Sequence, residues 1–266
     1  MEVSNAPGDG IRVTDEGADN STVITNTQVN SRLSDLFISH SGGDGIRVFD
    51  AKGSVTDSLI LNSWVASSGK SAINLDDAAG WQVINNHLYG VQRHAIFANR
   101  CFGTTIADNC APRPSLTLAF CLPLTACVNA DIEDFGGVQQ TVDALGSPSD
   151  PATFFGIACT VQGGATSVIR HNKVLMMSYH ERNASVIASS RFVHVGIPRV
   201  NYGIGMVSVV GNAIRGANSS ADIGLSYAAL KPGTELKVVS GLNLVEDVGT
   251  PRDVAPTGVT LAPADL

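Results

Sequence analysis

"GDGIRVFD", residues 43–50, is the stretch whose recurrence decides the fold. It appears first as "GDGIRVTD" at 8–15 and returns in altered form as "SAINLDDAAG" (71–80) and "HAIFANRCFG" (94–103). The four align without gaps on a small residue, Ile, any residue, an aliphatic residue, a polar one, then Asp or Arg. The small residues are Gly10, Gly45, Ala72 and Ala95, at successive offsets of 35, 27 and 23. A second motif falls between them: "VITNTQV", "LILNSWV", "VINNHLYG", "TIADNCA", "VIRHNKV", "VVGNAIRG" and "VVSGLNLV". Each is an aliphatic pair running into an Asn, namely Asn26, Asn62, Asn86, Asn109, Asn172, Asn212 and Asn243.

Short alternating strands separated by Gly and Asn turns, repeating at twenty-odd residues, predict a solenoid of β-strands. Amphipathic helical periodicity is nearly absent. Only "VQQTVDAL" (138–145) hints at a helical turn, inside an irregular stretch of about 129–153 that reads as a loop insertion. The expected division is one β-helical domain over 1–248 and an extended, Pro-rich tail over 249–266.

These segments resemble the single-stranded right-handed parallel β-helix of the pectate lyase and polygalacturonase (pectin-lyase-like) superfamily. The resemblance covers residues 9–110 closely and 154–248 loosely. It implies an all-β fold with few or no helices, coils about 4.8 Å apart, inward aliphatic columns and asparagines laddered at a turn. Solenoid ends expose strand edges and normally need a cover. Residues 1–8 are too short to supply one, so a longer chain or a partner subunit is expected there.

Composition narrows the function. Hydrophobic residues make up 44%, charged residues 15%, and 27 glycines are present, which describes a folded, turn-rich chain. With a net charge of −7 and no Lys/Arg cluster, nucleic acid is not an expected partner. No apolar run reaches the roughly 18 residues of a membrane span, so no membrane partner is expected either. "MEVSNAPGDGIRV" has no charged segment followed by an apolar one, so no secretory signal is read and localisation stays open between extracellular and other sites. Cys101, Cys110, Cys121, Cys127 and Cys159 lack metal-ligand spacing and read as buried free thiols, with a disulfide plus odd thiols as the alternative.

Strand alternation assigns directions to the side chains. With Ile46/Val48, Ile73/Leu75 and Ile96/Ala98 pointing inward, three outward columns follow. They are Arg12–Arg47–Asn74–Phe97, Thr14–Phe49–Asp76–Asn99, and Asp15–Asp50–Asp77–Arg100. Aromatic rings beside carboxylates and amides suit a sugar, which offers an apolar ring face and a rim of hydroxyls. The expected substrate is therefore a carbohydrate. Asp76, Asp77, Asp50 and His94 are the candidate catalytic residues, and Arg47, Phe49, Asn74, Phe97, Asn99 and Arg100 the candidate binding residues.

Three chemistries fit such a patch. Glycoside hydrolysis needs two carboxyls about 5–5.5 Å or about 6.5–9.5 Å apart. Asp76 with Asp50 or Asp77 would supply them, and "NLDD" looks like the Asp-Asp pair of polygalacturonase-type enzymes. Their Gly-His-Gly and Arg-x-Lys segments are missing from this chain. A lyase would use Arg47, Arg100 or Lys70 as base, with Ca²⁺ held by carboxylates; otherwise no cofactor or metal is expected. "LDDAAGWQVINNHLYGVQRHAIFANRCFGTTIADN" has a cadence similar to the inulin fructotransferases, which implies a transferase and a homotrimer. The non-catalytic alternative is a glycan-binding or tailspike-like β-helix, in which the same columns only solvate the coil.

Overall fold

A computed structural model of the protein describes residues 1–14, 30–49, 55–76, 78–91, 94–109, 126–129, 156–161, 165–175, 185–189, 204–229 and 235–262. Asp15, Asp50, Asp77, the insertion core at 130–153 and its hinted helical turn lie outside the described residues. Within them every regular element is a strand.

The strands pair in parallel, with the strand three places away over most of the chain and with the strand two places away among the described strands from Ser185–Ser189 onward. Three stacks result. The first runs through Glu2–Ser4, Phe37–Ser41, Trp64–Ser68, His87–Val91, Ala126–Asn129 and Asn172–Leu175. The second runs through Ile11–Thr14, Ile46–Phe49, Ile73–Leu75, Ile96–Cys101, Ile157–Val161 and Ser185–Ser189. The third runs from Arg32–Ser34 through Leu59–Leu61, Gln82–Ile84, Thr105–Ala107, Ser167–Arg170, Gly205–Val210 and Leu236–Gly241 to Val259–Ala262. The strand Ala213–Ala229 is long enough to serve two stacks. Its start pairs with Asn172–Leu175 and its end with Ser185–Ser189, which joins the first and second stacks into one sheet. This all-β, parallel arrangement is compatible with a parallel β-helix.

The registers follow the repeat. Ile11 pairs with Ile46, Ile46 with Ile73, and Ile73 with Ile96, at the offsets read from the small residues. Alternation then sends Ile46, Ile73, Ile96 and Ile157 inward as one column and Val48, Leu75, Ala98 and Cys159 as another, all buried. Ile60, Val83, Ile106 and Ile169 face them from the third stack. A fully buried Ile contributes roughly 1.5–3 kcal/mol, so these columns are the main cohesive element between successive strands. The small residue ahead of each Ile has a steric cause. A Cβ on Gly45 would sit 2.2 Å from Val65 Cγ1 and 2.8 Å from the Ala72 carbonyl oxygen.

The Asn motif closes the turn between the third and first stacks. Asn86, Asn109, Asn172 and Asn212 each donate the backbone N–H and the side-chain Nδ2 to Oδ1 of the next member, ending on Asn243. Nδ2 of each also reaches a carbonyl of the preceding strand, as from Asn109 to Val83 at 3.0 Å. The expected member Asn62 is one residue out of place. Ser63 occupies the ladder, donating its N–H to Asn86 Oδ1 and accepting from the Leu36 N–H. Asn62 instead belongs to a left-handed column just ahead of the ladder, with Asp35, Asn85, Asp108, His171, Gly211 and Leu242, all at φ between 51° and 69°.

Residues read as an extended tail contribute strands to the sheets. Leu244–Val254 pairs with Ala213–Ala229, and Val259–Ala262 is the last strand of the third stack.

Candidate functional site

The second stack carries the outward columns on one face. Arg12 is in register with Arg47, Arg47 with Asn74, and Asn74 with Phe97. Phe49 follows Thr14 in register, and Asp76 and Asn99 continue that line one residue past Leu75 and Ala98. Phe49, Asn74, Asp76, Phe97 and Asn99 are all half-buried. The outward facing of these described residues follows the strand alternation.

The contacts among them were not legible in advance. Arg47 is the hub. Its Nη2 donates to both oxygens of Asp76, at 2.9 and 3.1 Å, and its Nη1 to Asp44 Oδ2 at 3.2 Å. Arg12 and Arg47 both lie over the Phe49 ring, 4.9 and 5.6 Å from its centroid. This geometry suits cation–π attraction. His94 stacks on Phe97 with centroids 5.5 Å apart. Asn99 Oδ1 accepts from Thr160 Oγ1 at 2.5 Å, and Thr160 Oγ1 accepts from the Arg100 N–H at 2.7 Å. Arg100 adopts φ 56° where the register shifts between Ala98 and Cys101, so the strand kinks at this edge of the patch.

Asp44 is the residue that sequence reasoning missed. It is 1% exposed and its carboxylate is fully engaged. Oδ1 accepts from the Ser71 N–H at 2.8 Å, and Oδ2 accepts from Asn74 Nδ2 at 2.9 Å and from Arg47. Asp9 Oδ1 likewise accepts from the Asp44 N–H at 2.9 Å, so the two Asp residues form a short carboxylate ladder. The signal was present: "GDG" recurs at 8–10 and 43–45 with the same spacing as the Ile column. Buried carboxylates persist only when paired and hydrogen-bonded, and Asp44 is both.

The arrangement has definite chemical capabilities. Asp76 stands mid-face with its side chain 26% exposed, open to a ligand hydroxyl on one side and held by Arg47 on the other. Among the described residues no three His, Cys, Asp or Glu side chains cluster as metal ligands would. The second carboxyl that hydrolysis requires would come from Asp50 or Asp77, both outside the described residues.

A further group of side chains escaped the sequence reading. Phe37, Trp64, His87 and Tyr89 gather on the outer surface of the first stack. Alignment of "LILNSWV" with "VINNHLYG" on Asn62 and Asn86 sets Trp64 opposite Leu88; the strand register, one residue different, pairs it with His87. Comparison of this chain with protein-family models, curated proteins and solved structures returns no match.

Proposed function

We propose that the chain forms a single right-handed parallel β-helix of the pectate lyase and polygalacturonase type, and that the outer face of its second stack binds a carbohydrate. Right-handed winding is the rule for parallel crossovers. The observation that carries the ligand class is the in-register sequence of half-exposed Phe49, Asp76, Asn99, Asn74 and Phe97 on one flat face. Aromatic rings supply surfaces for the apolar side of a sugar ring, and carboxylate and amides accept and donate to its hydroxyls. Hydrogen-bonding groups held in place by their neighbours lose less entropy on binding; here Arg47 holds Asp76 and Thr160 holds Asn99.

Cleavage is the second reading, and the partial exposure of Asp76 favours it. In hydrolysis one carboxyl protonates the leaving oxygen while the other activates water or attacks the sugar carbon. Asp76 would fill one role after loosening from Arg47. A lyase using Arg47 as base is less well supported, because that guanidinium already bridges two carboxylates.

The test incubates the protein with acidic glycans, neutral glycans and fructans, with and without Ca²⁺, and reads products by mass spectrometry and binding by calorimetry. Binding without product supports the principal reading, with Asp76→Asn weakening it about tenfold. Products that have gained water establish a hydrolase, unsaturated ends a lyase, and anhydro-linked products a fructotransferase. No binding to any glycan overturns the carbohydrate reading of this face.

A further inference from the structure

The first stack presents a second outward surface of different chemistry. Phe37 is in register with Trp64, and Trp64 with His87, so three rings follow one another across adjacent strands. The Phe37 and Trp64 centroids are 6.1 Å apart, and Trp64 and His87 stack at 3.9 Å with 22° between their planes. Tyr89 stands edge-on to both Trp64 and His87, at 5.7 and 5.8 Å. It is in register with Ala66, whose small side chain leaves the Tyr89 ring free to lean over the row.

Packing among the four accounts for His87 and Tyr89, which are half-buried, but leaves the outer surfaces of the other two uncovered. Phe37 is 42% and Trp64 39% exposed. An aromatic side chain buries about 150–250 Å², so these two together offer roughly 120–200 Å². A stable protein partner needs about 800 Å² on each side. The patch is too small for that and matches one or two sugar rings. Its rim is polar: Glu2 lies beside Phe37 in register, and Ser4 and Ser39 line the adjoining column. The four strands Glu2–Ser4, Phe37–Ser41, Trp64–Ser68 and His87–Val91 contain no Lys or Arg. A uronate or sulfated sugar would find no cation on them and would face Glu2.

We propose that Phe37, Trp64, His87 and Tyr89 form a stacking platform for a neutral saccharide, a subsite distinct from the Asp76 face. It rests on the carbohydrate reading for its ligand class and on none of that face's residues.

The chain holds two tryptophans, and they report separately. Trp81 is fully buried with its Nε1–H donated to the Val55 carbonyl, so a ligand-induced change in emission comes from Trp64. The intact chain is titrated with cellohexaose, mannohexaose, xylohexaose and maltohexaose, with hexagalacturonate as the acidic comparison, by fluorescence and calorimetry. At least one neutral hexasaccharide is expected to shift Trp64 emission. Trp64→Ala should weaken its binding at least tenfold and Trp64→Phe by less than fivefold, whereas Gln82→Ala, exposed on the third stack, should weaken it by less than twofold. Phe37→Ser, at the exposed end of the row, serves as a second variant should Trp64→Ala fail to fold, and it should weaken binding at least threefold. The proposal is overturned if no neutral hexasaccharide binds, if only hexagalacturonate does, or if binding survives both platform substitutions. Loss of binding in Asp76→Asn alone would likewise overturn it, leaving the second-stack face as the site.

Discussion

Two carboxylates share the Arg47 guanidinium and stand in opposite surroundings. The Asp44 carboxylate is buried and accepts from three donors, the Ser71 N–H, Asn74 Nδ2 and Arg47 Nη1, whereas the Asp76 carboxylate is partly exposed and accepts from Arg47 Nη2. Asp44→Asn is expected to cost about 1.5–3 kcal/mol, the range for hydrogen bonds to a charged group. Asp76→Asn is expected to cost about 0.2–1 kcal/mol, because that pair is partly solvated. Denaturant melts of the two variants check this, and equal losses would show that Asp76 is as structural as Asp44. Leu242 is the opposite kind of residue. It is 89% exposed and holds φ 54° in the column that elsewhere uses Asp, Asn, His and Gly. An L-residue with a bulky side chain pays roughly 1–2 kcal/mol there, so Leu242→Asn should stabilise the fold by about 0.5–1 kcal/mol. A melting temperature that falls instead would mean that the Leu242 side chain makes a compensating contact.

At the scale of the element, the Asn ladder does what a lone turn residue cannot. Asn109 satisfies the Asn86 N–H below it in sequence and the Val83 carbonyl on the neighbouring strand, all out of contact with water. Asn109→Ala orphans both, so a loss of about 3 kcal/mol is expected. Asn109→Ser should lose less, since Ser63 already shows that a hydroxyl can hold a place in the ladder. Chemical denaturation of the pair decides it, and a harmless Ala would remove the ladder from the list of stabilising elements. The aromatic row adds a pH dependence. Burial holds the His87 imidazole down at about 4, against about 6.5 in an unfolded chain. Between those values the unfolded chain takes up a proton that the folded chain refuses. The stability that neutral His87 supports is thus complete above about pH 6.5, falls as the pH drops toward 4, and levels off below. The melting temperature of the parent should therefore fall more steeply between pH 6.5 and 4 than that of His87→Phe. Parallel curves would show that His87 does not titrate in that window.

At the scale of the molecule, no strand among the described residues is paired with its sequence neighbour. Paired residues lie 23 to 63 positions apart along the chain, from Ile73–Ile96 to Thr105–Val168. Loops must therefore close before the pairing that rewards them is made, and such topologies fold in milliseconds to seconds or slower. Refolding by rapid dilution from denaturant, followed by Trp81 fluorescence, should be slower than about one millisecond. A faster return of the buried Trp81 signal would contradict a core assembled from these distant pairings.

By itself the sequence determined the strand class, the parallel register of Ile11, Ile46, Ile73 and Ile96, and the outward direction of Arg47, Phe49, Asn74, Asp76, Phe97 and Asn99. It did so because a strand alternates with period two and a stacked repeat must keep its aliphatic column in line. The Asn ladder was legible for the same reason from Asn86 to Asn243, but not at Asn62, while Asn26 lies outside the described residues. At Asn62, side-chain type suggested the ladder, but the backbone needed that Asn for its left-handed turn and left the ladder place to Ser63. Only the tertiary structure decided that Asp44 shares Arg47 with Asp76, that residues 244–262 complete the sheets, and that Phe37, Trp64, His87 and Tyr89 meet. Those outcomes depend on distances between side chains from different strands, and a one-dimensional pattern records the facing of each residue but not the reach of its atoms.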